Sequence, residues 1–338
     1  MSRAQLTSTV EQNTGGAVSP YVAGKNCIIN GGMDIFQRTS FATFNAYALD
    51  RWYIYGSQNV TVTQSTAKVT PNSQYMMLMT ASATQQIFAY QAIETLNAIY
   101  YAGKTVTLSG YAAGLTTTTN LNMSLSYSTS TDNSVSGTWT GITASSGNPD
   151  LTLSGTVTRW SATYAIPSTA KSLRVLFVNN AANITVGQGI YLGDVQLEVG
   201  SVATPFSRAG GTLSGELDAC QRYYYRVPLA GNVGIQFTFS GNATMAATVN
   251  FPTVMRATPT GFTNINSFTT SYSPTATQIY LNAYYVGNLS GTFGSATASA
   301  GSTTLGGLSL YSWTSPTTGL PYSIYGGSSC YLDWSAEL

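Results

Sequence analysis

In Leu121-Asn122-Met123-Ser124-Leu125-Ser126-Tyr127 apolar and small polar side chains alternate one for one. A period of two is the signature of a strand with one face on a core and the other in water. The same beat runs through Trp160, Ala162, Tyr164 and Ile166, and through Leu173, Val175 and Phe177. It returns in Tyr191 to Val199, where Val195, Leu197 and Val199 stand opposite Asp194, Gln196 and Glu198. Turn clusters such as Thr131-Asp132-Asn133-Ser134 and Ser145-Ser146-Gly147-Asn148-Pro149 divide the runs. Short strands divided in this way predict an all-β chain, a jelly-roll β-sandwich followed by a second, smaller β-sandwich. One short helix is expected within Tyr90–Tyr101, where Ile93, Leu96 and Tyr100 recur at helical spacing and Gly103 stands at the capping position. A strand from Thr105 to Ala112 follows.

A length of 338 residues accommodates two such units. Residues 1–24 are polar and small, with a Gly-Gly and a Pro, and read as an extended arm: either a frayed terminus or a docking peptide that orders on a partner. Residues 25–208 carry the strong alternation and form the jelly roll. Residues 209–217 are mostly small and turn-forming and read as a linker. Residues 218–338 form the second sandwich, where Leu217, Cys220 and Tyr224 on one helical face suggest a helical turn running into a strand.

Composition then narrows the function. Charged residues make up only 7% of the chain, and its formal net charge is +1. That balance offers no field for gripping a phosphate backbone, so nucleic acid is not an expected partner. The chain has no His, which removes Ser-His-Asp and Cys-His nucleophile pairs and His-ligated metal sites. The 43% hydrophobic content still supports a core, so the low charge does not mean disorder. A surface this poor in Lys and Glu is either solvated by hydroxyls and amides or covered by identical subunits, as in an obligate homo-oligomer. Three cysteines without CxxC spacing read as reduced thiols, and no apolar run is long enough for a membrane span.

Sugar binding asks for aromatic faces among polar groups. Trp139 in Ser136-Gly137-Thr138-Trp139-Thr140-Gly141 and Trp313 in Tyr311-Ser312-Trp313-Thr314-Ser315-Pro316 are the glycan-binding candidates, each alternatively a loop anchor. Sugar hydrolysis asks for two carboxyl groups about 5–10 Å apart. Asp194 and Glu198 lie four residues apart on one strand, roughly 13 Å. Glu216 and Asp218 follow the expected linker, where nothing in the sequence fixes their separation. No catalytic residue is therefore expected, and the chain is read as non-enzymatic. Asp50-Arg51-Trp52 reads as a core Trp with two charges paired at the strand edge. Arg222-Tyr223-Tyr224-Tyr225-Arg226 reads as an amphipathic strand start or, alternatively, a stacking platform.

Several phrases carry a family resemblance. They are Gly24-Lys25-Asn26-Cys27-Ile28-Ile29-Asn30-Gly31-Gly32-Met33-Asp34-Ile35-Phe36-Gln37-Arg38 with Leu49-Asp50-Arg51-Trp52, and Gly193-Asp194-Val195-Gln196-Leu197-Glu198-Val199-Gly200 with Ala203-Thr204-Pro205-Phe206. Further along come Glu216 to Tyr224, Phe251 to Thr260 and the terminal Trp334-Ser335-Ala336-Glu337-Leu338. In this order they resemble tailed-bacteriophage virion structural proteins, described as tail fibres or related appendages, and the first unit is similar to the jelly roll of carbohydrate-binding modules. The resemblance implies a tail fibre or tail-tip appendage in the virion, made in the host cytoplasm. It would attach to other virion proteins through its N-terminal arm, assemble as a homotrimer, and bind host-surface glycan. A capsid decoration or head-fibre protein is the alternative, and a polysaccharide depolymerase the third reading. It also implies a structural calcium ion as the one cofactor to test, with Asp194 at the matching position and a simple turn acceptor as the alternative role.

Overall fold

The computed structural model describes residues 25–338 except 39–40, 44, 117–118, 148, 180–183, 230, 240–243, 264–266, 269–277, 284–286, 289–294, 301, 312–321 and 327–329. The expected arm and Trp313 therefore lie outside the described residues. Contacts divide the chain into two compact units, one ending at Ala219 and taking in Leu338, the other running from Cys220 to Glu337.

The first unit is a jelly-roll β-sandwich. Its strands are β1 (Phe41–Thr43), β2 (Ala46–Leu49), β3 (Trp52–Gly56), β4 (Val60–Ser65), β5 (Met76–Ala81), β6 (Ile87–Ile93) and β7 (Thr105–Gly114). They continue as β8 (Thr119–Ser128), β9 (Thr140–Ile142), β10 (Ala144–Gly147), β11 (Asp150–Leu153), β12 (Thr158–Ala165), β13 (Ser172–Asn179) and β14 (Gly189–Val199). One sheet has the order β1-β4-β5-β14-β7-β12-β10, and the other β11-β8-β13-β6-β3-β2 with β9 also on β8. The alternating runs become β8, β12, β13 and β14, and their inward phase makes the core. Leu121, Met123, Leu125, Leu173, Val175 and Phe177 are buried from the second sheet against Val106, Leu108, Ala112, Trp160 and Ala162 from the first. Trp52 and Trp160 both pack on Phe177, at 5.9 and 5.4 Å between ring centroids. Gly110 makes room for this: a Cβ there would lie 2.6 Å from the Trp160 ring.

The expected helix is shorter and faces the other way. Tyr90 to Ile93 stay in β6, where Ile93 pairs with Leu173, Tyr90 with Leu176 and, on the other side, Tyr90 with Tyr53. Two ladders outweigh the weak helical spacing. The helix α1 covers Thr95–Ala98 and runs into a 3₁₀ turn over Ile99–Tyr101. It buries Ala98 and Tyr101, while Leu96, Ile99 and Tyr100 face solvent. Gly103 closes it in the left-handed region, at φ 74°.

Residues 209–217, expected as a linker, hold a turn and the start of a second helix, α2 (Leu213–Gln221). The Thr212 hydroxyl accepts from the Gly215 N–H at 3.0 Å, a side-chain N-cap. The two glycines serve close approach rather than flexibility: a Cβ on Gly210 would fall 2.1 Å from the Gly215 carbonyl carbon. Asp50 and Arg51 are likewise fully buried rather than at an edge. Asp50 accepts from Gln37, through the backbone N–H at 2.6 Å and the side-chain amide at 2.9 Å, while Arg51 donates to the Ala92 carbonyl at 2.8 Å.

The second unit holds a three-stranded sheet of Tyr224–Pro228, Tyr331–Ser335 and Thr260–Thr263, and an eight-stranded sheet that includes Gly231–Phe239, Thr244–Asn250 and Leu305–Tyr311. Its centre is Trp334, fully buried, with Phe251 at 5.3 Å and Tyr225 stacked at 6.3 Å. Tyr223 and Tyr224 are buried too, so the tyrosine run builds the unit's interior. Asp333 accepts from Arg226 at 2.7 Å and from the Tyr224 hydroxyl at 2.6 Å. Among the described residues no helix is long and apolar enough to cross a membrane.

Candidate functional site

The outward phase of the second sheet of the jelly roll does not follow the polar half of the alternation. On β3 the buried Trp52 and Ile54 alternate with Tyr53 and Tyr55, and on β6 the buried Ile87 and Ala89 alternate with Phe88 and Tyr90. Register then lays these rings in rows across the strands. Tyr47 on β2 pairs with Tyr53, Tyr53 with Tyr90, and Tyr90 with Leu176 on β13. In the next row Tyr55 pairs with Phe88, Phe88 with Val178, and Val178 with Asn122 on β8. Neighbouring strands are about 4.8 Å apart, so the rings touch. Tyr47 and Tyr53 meet edge to face at 5.2 Å, as do Tyr55 and Phe88 at 5.3 Å. Phe88 and Tyr90 lie nearly parallel, 7° apart, with centroids at 5.9 Å. Tyr55 is 44% exposed, and the other four rings are half-buried.

Two further groups join this face. Arg174, on β13 beside Leu176, sets its guanidinium 4.7 Å from the Tyr90 ring centroid and 5.0 Å from that of Trp139. Its Nη1 donates to the Val135 carbonyl at 2.8 Å. Trp139, in the loop before β9, is half-buried and donates its indole N–H to the Ser134 carbonyl at 2.9 Å. Trp139 is thus both an anchored loop residue and part of the aromatic face. Burial pushes the Tyr53 and Tyr90 phenols above their usual range, with Arg174 pulling partly the other way at Tyr90. Both therefore stay protonated at neutral pH and can donate. Beyond the rings the face turns polar through Asn122 and Ser124, and the Asn122 amide donates to Asp150 at 2.9 Å. An apolar platform edged by hydroxyl, amide and guanidinium groups is suited to a flat ligand with C–H faces and many hydroxyls.

The carboxylates singled out in the sequence lie elsewhere and are engaged internally. β14 is irregular between Gly193 and Gln196, and Asp194 sits there in the left-handed region, φ 49°. Asp194, Gln196 and Glu198 are buried instead of forming a solvent face, under contacts from Asn72, Ser73, Thr204 and Ser207. Asp194 accepts from the Ser73 hydroxyl at 2.6 Å and the Asn72 amide at 3.0 Å. A hard cation needs lone pairs turned toward it, whereas these two neighbours turn hydrogens toward the carboxylate. Among the described residues no group of three His, Cys, Asp or Glu side chains is placed to hold a metal. This donor set does not fit calcium. A cleft of about 200 Å³ beside Asp194 is lined by Tyr111, Arg159, Asn72 and Pro205. Glu198 accepts from the Thr204 N–H at 2.9 Å and the Thr204 hydroxyl at 2.6 Å, which ties down the segment after β14.

The phrases around Asn26, Asp34, Val195 and Glu216 that carry part of the family resemblance meet in this buried polar network. Asn26 donates to the Val195 and Ser207 carbonyls and accepts from Leu197 N–H. Arg208 pairs with Asp34 at 2.8 Å. Glu216, only 1% exposed, accepts from Gly210 N–H at 2.7 Å and from Asn30 N–H. They describe how the unit is fastened.

No protein-family model matches the chain, and no curated protein is similar to it. Solved structures that resemble it include the enzymatically active domain of tailspike protein 4 from bacteriophage CBA120, at 16% identity and TM-score 0.36, covering 54% of this chain and 22% of that one. Another is the CBM22-1 xylan-binding domain of Xyn10C from Paenibacillus barcinonensis, at 12% identity and TM-score 0.36, covering 54% and 98%. The CBM22-1-CBM22-2 tandem of the same protein matches at 11% identity and TM-score 0.35, covering 93% and 98%. Likeness at this level says nothing of what the chain binds.

Sequence reasoning reached Trp139 but not Tyr53, Tyr55, Phe88, Tyr90 or Arg174. The available signal was an aromatic residue in the solvent phase of a strand whose other phase is already apolar.

Proposed function

We propose that the chain is a non-enzymatic glycan-binding component of a bacteriophage virion. In this reading it serves as a tail fibre or tail-tip appendage, attaches through residues 1–24 and works as a homotrimer. The observation that carries the glycan-binding part is the aromatic face of Tyr53, Tyr55, Phe88 and Tyr90 with Arg174 and Trp139 at its side. With Tyr47 these make five contiguous rings, exposed or half-buried on one sheet, which are costly in water and serve a surface-binding role. The virion part is supported by the sequence phrases and by the sparse charge, which suits a subunit among subunits.

The test is retention of the full chain on host-surface polysaccharide, measured by affinity electrophoresis or calorimetry. Each aromatic contact is worth roughly 0.5–1.5 kcal/mol. Removing the exposed Tyr55 ring and the half-buried Phe88 ring in a Tyr55→Ala, Phe88→Ala double variant should therefore weaken binding by roughly 5- to 150-fold, with an unchanged circular dichroism spectrum. Retention equal to the parent chain would refute the site, and release of reducing ends from the polysaccharide would refute the non-enzymatic reading.

A further inference from the structure

The ligand's charge can be read from Arg174, the cation set between the Tyr90 and Trp139 rings. Arg174 is half-buried among rings, and burial lowers its pKa from the ordinary arginine value. Among the described residues it has no carboxylate partner. Its Nη1 is held by a neutral carbonyl, and its Nε is buried without an acceptor. Ring faces offset part of the cost of desolvating a guanidinium, but they accept no conventional hydrogen bond from its N–H groups. Register places Arg174 opposite Ser126 on β8, whereas Asp150 stands opposite Asn122. Four residues of strand separate those positions, roughly 13 Å, so Asp150 is too distant to neutralise the arginine.

We infer that the glycan taken by this face is an acidic one, with a sugar carboxylate seated on Arg174 while the sugar rings lie along Tyr90, Tyr53 and Tyr55. This rests on the glycan-binding reading above and adds the class of sugar. A carboxylate supplies the planar acceptor that a guanidinium pairs with best, and the two charges make the hydrogen bond a charge-assisted one, strengthened on a partly desolvated ring surface. A neutral sugar offers only uncharged hydroxyl acceptors.

The experiment compares polygalacturonate, alginate and polysialic acid with the carboxyl-reduced form of each, on the full chain and on Arg174→Gln and Arg174→Lys variants. At least one acidic polymer should bind the parent chain at least about tenfold more tightly than its reduced form, the worth of one hydrogen bond to a charged group. R174Q should bind the acidic polymer no better than the reduced one. R174K should keep part of the preference, and added salt should erode it. Equal binding of acidic and reduced polymers overturns the inference and leaves the glycan-binding reading standing, as does a preference that survives R174Q. If R174Q loses both forms, the arginine is a loop clamp and the inference fails. If the parent chain holds no polymer of either kind, the glycan-binding reading itself fails.

Discussion

Replacing Glu216 with Gln tests whether the start of the jelly roll and the segment after β14 are one fastened unit. The carboxylate is 1% exposed and both of its oxygens accept, one from Gly210 N–H at 2.7 Å and the other from Asn30 N–H. A glutamine keeps one acceptor and must turn its NH₂ toward the other N–H. The loss is one hydrogen bond to a charged group, about 1.5–3 kcal/mol, and the facing donors add an unsatisfied buried group at about 1–3 kcal/mol. Relief of the buried charge offsets part of this, since desolvation is what raises the Glu216 pKa. The net expectation is a destabilisation of about 2–3 kcal/mol. For a unit of this size each kcal/mol moves the melting temperature by about 2–4 °C, so calorimetry of the full chain should show the jelly-roll transition falling by about 4–12 °C. The transition of the second unit should stay in place. An E216Q chain that melts with the parent would show that the carboxylate is not the fastener the contacts describe.

Other outcomes follow from the same network. Burial raises the pKa of both Asp34 and Glu216 above the ordinary carboxylate range. Their folded forms bind protons more tightly than the unfolded chain does, so this contribution is complete below the ordinary carboxylate pKa and is lost as pH rises through the folded values. Mild acidification from neutrality should stabilise the jelly roll, and E216Q should reduce the effect; a purely destabilising response in urea melts down to pH 5 would contradict it. Because the oxygens of Asp194 accept from Ser73 and Asn72, chelator or added calcium should leave the jelly-roll melting temperature unchanged, whereas a calcium-dependent rise would show that the side chains rearrange around a cation.

The strands were legible because alternation is a local signal. β8, β12, β13 and β14 stand where period-two runs occur, and Gly103 ends a helix as its position suggests. The helix itself was over-extended, since Ile93, Leu96 and Tyr100 share a spacing that the ladders of β6 override. Long-range pairing was not in the sequence in readable form. Residues 209–217 look loose because they are small, yet Gly210 and Gly215 are small so that backbones can touch. The aromatic face was missed for a related reason. Tyr53 and Tyr90 are 37 positions apart in the chain and become neighbours only through register, while Trp139 stood out because its loop contains nothing else of its size.

The most direct test is a crystal structure of the full chain with an oligosaccharide released from the polysaccharide that retains it. Sugar rings lying over Tyr53, Tyr55 and Tyr90, with a polar group of the ligand within hydrogen-bond distance of Arg174, are the expected result. A ligand seated in the cleft beside Asp194 or on the second unit, with the aromatic face bare, would contradict the account.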